Sequence, residues 1–196
     1  MAACKKNARR RDAWIVFEDE SGLALNHALT RTWAPRGKTP VLATRYGNRK
    51  QISMAGLLAY HPDGRRARIL FQTIDGGYND EQLIIVIRQM RRTLRANVTL
   101  IWDRLTAHRS RRMQAFLRRQ QHWLRIEELP PYAYDLNPCE ALWASLKARE
   151  LANLCPHTVQ DCVDAAQSGV QRVRRERHLA FNFLRRSRLS LHPTRH

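Results

Sequence analysis

Leu129-Pro130-Pro131-Tyr132-Ala133-Tyr134-Asp135-Leu136-Asn137-Pro138-Cys139-Glu140-Ala141-Leu142-Trp143 marks the place where a strand hands over to a helix. The paired prolines stop the strand that Trp123 to Glu128 predicts. Proline offers no N–H to a sheet ladder. Asn137 is a good helix cap, and Pro138 suits the first turn that follows. Glu140 then stands on that first turn, at the seam between sheet and helix. The helix should continue through Leu142 and Leu146 to about Leu151.

Working back from this seam, Val98-Thr99-Leu100-Ile101-Trp102-Asp103 is a continuous apolar run ending in a carboxylate. Such a run suits a buried central strand. Ala13 to Phe17 is a third run of strand length, closed by Glu18-Asp19-Glu20 and Ser21-Gly22, with a further extended piece at Leu23-Ala24-Leu25. Between them lie two more strands, Gln51 to Tyr60 and Arg66 to Thr73, joined by the turn signal His61-Pro62-Asp63-Gly64. Asn79 and Gln82 have the spacing of a capping box, so a helix should run from Asp80 to about Arg95. A basic helix is expected from His108 to Gln121, and a last one after Thr158, with Val159, Cys162, Val163, Ala166, Val170 and Val173 on its inner face. The order is three strands joined by hairpin-like turns, then helix, strand, helix, strand, helix, helix. That order predicts an α/β mixed sheet covered by helices. Residues 1–12 read as a basic linker or tail, 13–180 as the folded domain and 181–196 as a basic, arginine-rich tail.

The composition bounds the partners. With 196 residues, 43% of them hydrophobic, the chain has the material for one ordinary core. Against 17 acids stand 35 basic residues, a net charge of +18 that fits a polyanion. Most of that charge is arginine, whose planar fork suits phosphate. No apolar run approaches membrane-spanning length and no secretory segment is evident, so a soluble, cytoplasmic protein is expected. The four cysteines show no CxxC pair; Cys155, His157 and Cys162 lack a second ligand pair, and no zinc site is expected there.

In so basic a chain, acids at strand ends and at a helix start point to metal-dependent chemistry on nucleic acid. Phosphodiester chemistry needs charge stabilised on the attacking and leaving oxygens, which two magnesium ions about 4 Å apart can do. Magnesium takes carboxylate oxygens. Asp19, Asp103 and Glu140 are the candidates, with Glu18 and Glu20 competing with Asp19, and Asp135 with Glu140. Alternation places Glu18 and Asp19 on opposite strand faces. The loop Arg31-Thr32-Trp33-Ala34-Pro35-Arg36-Gly37-Lys38-Thr39-Pro40 puts one aromatic among several cations and is a candidate DNA contact. No Walker loop, GxGxxG, HExxH or GxSxG motif is present.

Four blocks carry a resemblance: Phe17-Glu18-Asp19-Glu20-Ser21, the Trp33 loop, Trp102-Asp103-Arg104-Leu105-Thr106-Ala107-His108-Arg109-Ser110, and Pro130 through Lys147. In order and spacing they resemble the catalytic region of the IS630 branch of the IS630/Tc1/mariner transposases. The resemblance implies an RNase H-like fold and a triad of Asp19, Asp103 and Glu140 holding two Mg2+ or Mn2+ ions. It chooses Asp19 over its flanking glutamates. It implies cleavage at transposon ends, then attack of the freed 3′-hydroxyl on target DNA, commonly TA-containing, by a homodimer that synapses two ends. Trp33, Arg36, Lys38, His108, Arg109 and Lys147 are its candidate DNA contacts. It implies a bacterial protein that joins the nucleoid when bound to DNA. Tyr134 stands where proline is usual in the family, and Arg104 where asparagine is common. Family members usually carry helix-turn-helix domains ahead of this region, which suggests a separately encoded DNA-binding part or a truncated copy. The alternative readings are an RNase H-like nuclease and an inactive remnant that only binds DNA.

Overall fold

The structure is a computed structural model and describes residues 2–23, 33–39, 41 and 52–191. Helix α1 is Ala2–Arg10, followed by strands β1 (Trp14–Leu23), β2 (Ile52–Tyr60) and β3 (Ala67–Asp75). Helix α2 (Asp80–Leu94), strand β4 (Val98–Trp102), helix α3 (Arg111–Gln120) and strand β5 (Leu124–Glu128) come next. Helices α4 (Pro138–Ala148), α5 (Val159–Arg175) and α6 (Arg177–Arg186) complete the order. The sheet order is β3-β2-β1-β4-β5. β1, β2 and β3 pair antiparallel, while β4 joins β1 and β5 joins β4 in parallel. This is the mixed sheet that the sequence predicts.

Apolar residues on both faces of the sheet hold the layers together. Ile15, Phe17, Met54 and Leu58 pack with Leu142, Trp143, Leu146, Val170 and Phe183 of α4, α5 and α6. Trp14, Val16, Leu57 and Leu100 pack with Leu83, Ile87 and Met90 of α2 and Met113 and Phe116 of α3. A sheet covered on both faces explains why β2 and β4 are buried along their whole length.

The caps behave as expected. Asn79 accepts from the N–H groups of Glu81 and Gln82, and Gln82 answers with its side chain on the Asn79 N–H. Thr158 and Asp161 form a second capping box at the start of α5. Asn137 caps α4, with Pro138 in its first turn.

Some boundaries differ from the sequence reading. β1 does not close at Phe17 but continues through all three acids to Leu23; Ala24 and Leu25 of the expected extended piece lie outside the described residues. The helix expected from His108 begins only at Arg111, after a 3-10 turn over Thr106–Arg109. The expected basic tails are built into the fold. Residues 2–10 form α1, which buries Cys4 and Ala8. At the other end α6 buries Ala180, Phe183 and Leu184, and Leu189 and Leu191 are buried beyond it. Arg9 reaches the Leu191 carbonyl at 2.7 Å, joining the two ends, while residues 192–196 lie outside the described residues. No helix among the described residues is long and apolar enough to cross a membrane.

Candidate active site

Strand alternation sorts the three acids of β1. Asp19 continues the face of Ile15 and Phe17, toward α4. Glu18 and Glu20 continue the face of Trp14 and Val16, toward α2 and α3. Asp19 Oδ2 accepts a 2.8 Å hydrogen bond from Trp143 Nε1. Burial lifts its pKa most; the Trp143 bond opposes this, and the carboxylates of Glu140, Glu20 and Asp103 add to it, leaving it at about 7. Asp19 therefore lies within electrostatic reach of both other members of the proposed triad.

The run Asn137-Pro138-Cys139-Glu140 is docked on the backbone beside Asp19. Asn137 Nδ2 donates to the Glu18 carbonyl at 3.1 Å while its Oδ1 accepts from the Cys139 N–H. The Cys139 thiol lies against the carbonyls of Phe17 and Gly56 at 3.4 and 3.5 Å. Trp143, one turn on from Glu140, sits directly on Gly56, where a Cβ would come within 2.6 Å of the indole. Only glycine lets this helix approach so closely. Glu140 itself is exposed on the first turn. Tyr134 is exposed in the preceding 3-10 turn, where its carbonyl accepts from the Asn137 N–H.

Asp103 follows β4 directly, with 43% of its side chain exposed. Its Oδ1 accepts from the Leu105 N–H at 2.9 Å and lies 3.1 Å from His108 Nδ1. Burial works against ionisation here, but the His108 and Leu105 hydrogen bonds outweigh it and lower the pKa. Arg104 is turned away from this carboxylate; its Nε pairs with Glu128 at 3.0 Å.

His108 is 2% exposed and stacks on Trp102 with ring centroids 4.0 Å apart. A ring so enclosed has no edge left for a DNA phosphate, which corrects its reading as a DNA contact. Its Nδ1 faces Asp103, and its Nε2 faces Glu18 and Glu20 at 3.7 and 3.6 Å. Burial alone would lower its pKa, but the hydrogen bond with Asp103 and the nearby carboxylates of Glu20 and Glu18 raise it to about 10. Burial, and then the charge of Glu20, hold the Glu18 carboxyl well above its ordinary range. Sequence reasoning set these two glutamates aside as competitors of Asp19. Their i, i+2 spacing on one strand was the available signal that they act together. It also missed Trp143, although 139, 142, 143 and 146 share the buried face of α4. Among the described residues, the group whose ligand atoms all lie within 4.8 Å of one another is Glu18, Glu20 and His108; the triad carboxylates are not drawn together that closely.

The remaining candidates lie at the surface. Trp33 is 100% exposed, and Arg36 and Lys38 beside it are exposed as well. Arg31, Thr32 and Pro40 of the same loop lie outside the described residues. Arg109 is exposed and pairs with Glu128 at 3.4 Å. Lys147 is exposed two turns along α4 from Glu140, about 10 Å away on the same helix side.

Residues 14–160 match the family of DDE superfamily endonucleases. The chain belongs to that family. This DDE endonuclease shares its fold with the mariner Mos1 paired end complex with Mg, at a TM-score of 0.61 and 17% identity over 95% of this chain and 58% of that one. The Mos1 paired end complex with Mn gives a TM-score of 0.57 and 16% identity over 95% and 58%. The intasome of simian T-cell lymphotropic virus gives 0.54 and 10% over 83% and 48%. At these identities the likeness is one of fold, and that fold is the RNase H-like one expected from the sequence. The chain spans about three-fifths of the length of the Mos1 transposase chains it matches. Among curated proteins no sequence relative matches.

Proposed function

We propose that this DDE endonuclease is the catalytic domain of a DNA transposase of the IS630 branch, which cuts DNA at the ends of its element and joins the freed 3′-hydroxyl to target DNA. The observation that carries the proposal is that Asp19 lies on β1 against α4, whose first turn bears Glu140, while Asp103 follows the neighbouring strand β4, in a chain of net charge +18. The donor set fits the ions proposed. All three side chains offer hard carboxylate oxygens, as Mg2+ and Mn2+ require. Asp19 is held protonated up to about pH 7 partly by its acidic neighbours, so the site gains from added positive charge. Two such ions, when bound, supply charge stabilisation at the attacking and leaving oxygens of a phosphodiester.

The chain's own residues prepare this chemistry. Trp143 holds Asp19 by Oδ2. Leu105 and His108 hold Asp103 by Oδ1. The Asn137 and Cys139 bonds fix the start of α4, and with it the position of Glu140 relative to β1. Lys147, Arg36 and Lys38 are placed to meet the DNA backbone, where cations set orientation rather than sequence choice. Pairing of two ends by a homodimer, a separately encoded helix-turn-helix part and TA-containing targets belong to the same proposal.

The test is strand transfer with a pre-cut DNA end carrying the element's terminal repeat and Mn2+ or Mg2+ as the added ion. The parent chain, with its DNA-binding part supplied, should join that end to a plasmid, and Asp103→Asn should lower joining by at least about a thousandfold, the scale expected when charge stabilisation at the reacting oxygens is lost. DNA retention should stay near the parent level. Joining by Asp103→Asn at the parent rate would refute the assignment, and no joining by the parent with either ion would favour a chain that only binds DNA.

A further inference from the structure

Behind the proposed triad, on the opposite face of β1, lies a second set of ligands that the DNA chemistry does not use. Glu18 is 2% exposed, and neither of its carboxylate oxygens has a hydrogen-bond partner among the described residues. Both carboxylate oxygens of Glu20 are likewise buried and unpaired, and so is His108 Nε2. Buried polar groups are nearly always satisfied, so five orphaned atoms facing one another call for a missing partner. Their spacing says which kind. Nε2 stands 3.7 Å from Glu18 Oε2 and 3.6 Å from Glu20 Oε1, too far for a hydrogen bond. The ligands of a four-coordinate ion with bonds of about 2.0–2.2 Å stand about 3.3–3.6 Å apart.

The far side of the ring is arranged to match. Nδ1 lies 3.0 Å from the Asp103 carbonyl and 3.1 Å from Asp103 Oδ1. A histidine that binds a metal ordinarily donates its other N–H to a carboxylate or carbonyl, which directs the remaining lone pair at the ion. Stacking on Trp102 fixes the ring in that orientation.

We propose that Glu18, Glu20 and His108 form a structural divalent-cation site, separate from the triad and joined to it through the His108–Asp103 contact. One imidazole nitrogen with two carboxylates suits zinc or manganese better than magnesium. The ion would tie the 3-10 turn that carries His108 to the middle of β1. Asp103, resting on the other side of His108, would then be positioned from behind. The inference rests on the geometry of these three side chains and not on the transposase reading.

The experiment uses the full chain, stripped with a chelator and dialysed against Zn2+ or Mn2+ without DNA. Bound ion is counted by elemental analysis, and the melting temperature is read with and without it. Glu140→Gln, which removes a triad ligand and with it the ions proposed there, should still retain one ion per chain and melt higher with it, whatever further ions the parent holds. Glu18→Gln and Glu20→Gln keep side-chain volume and remove charge; each should weaken that ion's binding by at least about tenfold, the lower end of what even outer-shell changes cost. A readout in the parent covers the case in which the variants fail to fold: Zn2+ should shift one histidine Nε2 resonance, in the parent and in Glu140→Gln alike. An ion count in Glu20→Gln equal to that of the parent, no ion left in Glu140→Gln, or no ion and no shifted histidine in the parent would overturn the proposal. In the last case an imidazolium between two glutamates accounts for the cluster.

Discussion

Asp19 and Asp103 are both aspartates of the proposed triad, yet their surroundings drive them in opposite directions. Asp103 is half open to solvent and bonded by Leu105 and His108, so it is ionised well below neutrality. Asp19 is pressed between Trp143 and other acids, and its pKa reaches about 7. In the unfolded chain it titrates near ~4. Between these values the folded chain holds a proton that the unfolded chain has released. Its stabilising effect is thus complete below about pH 4 and is lost as the pH rises to about 7. Asp19→Asn should therefore raise the melting temperature of the ion-free protein at pH 8, and the gain should shrink toward zero as the pH falls to 4. For a chain of this size each kcal/mol is worth about 2–4 °C. Melting curves in chelator at several pH values check this, and a gain that does not depend on pH would show that Asp19 is not the group being titrated.

At the scale of elements, the decisive fit is α4 against β1 and β2. The helix start is held by Asn137 and Cys139, and its second turn by Trp143 lying over Gly56. Gly56→Ala would set a methyl carbon 2.6 Å from the indole. Overpacking of this kind costs about 1–3 kcal/mol, and here it should also move Trp143 off Asp19. We expect a lower melting midpoint together with a loss of metal-dependent cleavage larger than the stability loss explains. A variant that is destabilised but cleaves normally when folded would separate Trp143 from the site. Much of this layer was legible in the sequence. Asn79 with Gln82, and Asn137 with Pro138, announce their helices because caps are local chemistry. The course of β1 past Phe17 was not legible. Three consecutive acids ordinarily mark a solvated strand end, but here they continue the ladder with β2, with α4 on one side and His108 on the other. The terminal helices were hidden for a related reason. Cys4 and Ala8 stand one turn apart among cations, and Ala180, Phe183 and Leu184 lie in an arginine-dense stretch. Composition spoke for tails where the spacing of a few apolar residues spoke for packing.

For the molecule as a whole, the excess of 35 basic over 17 acidic residues gives it a field that gathers polyanions, while Glu18, Asp19 and Glu20 of β1 form a local acidic run within it. The order of elements pointed to one mixed sheet from sequence alone, and the resemblance singled out Asp19, Asp103 and Glu140 on it. Their mutual influence, and the separate grouping of Glu18 and Glu20 with His108, needed the three-dimensional arrangement. The central claim is that those three acids act as one metal-dependent cutting site. The most direct measurement follows conversion of supercoiled plasmid carrying the element's ends to nicked or linear DNA with Mn2+ and with Mg2+, comparing the parent, Asp19→Asn, Asp103→Asn and Glu140→Gln, each shown to be folded and to bind DNA. Cutting by the parent should depend on the added ion, and none should be detectable from any of the three variants; a folded variant among them that cuts as fast as the parent would show that its acid is not part of the site.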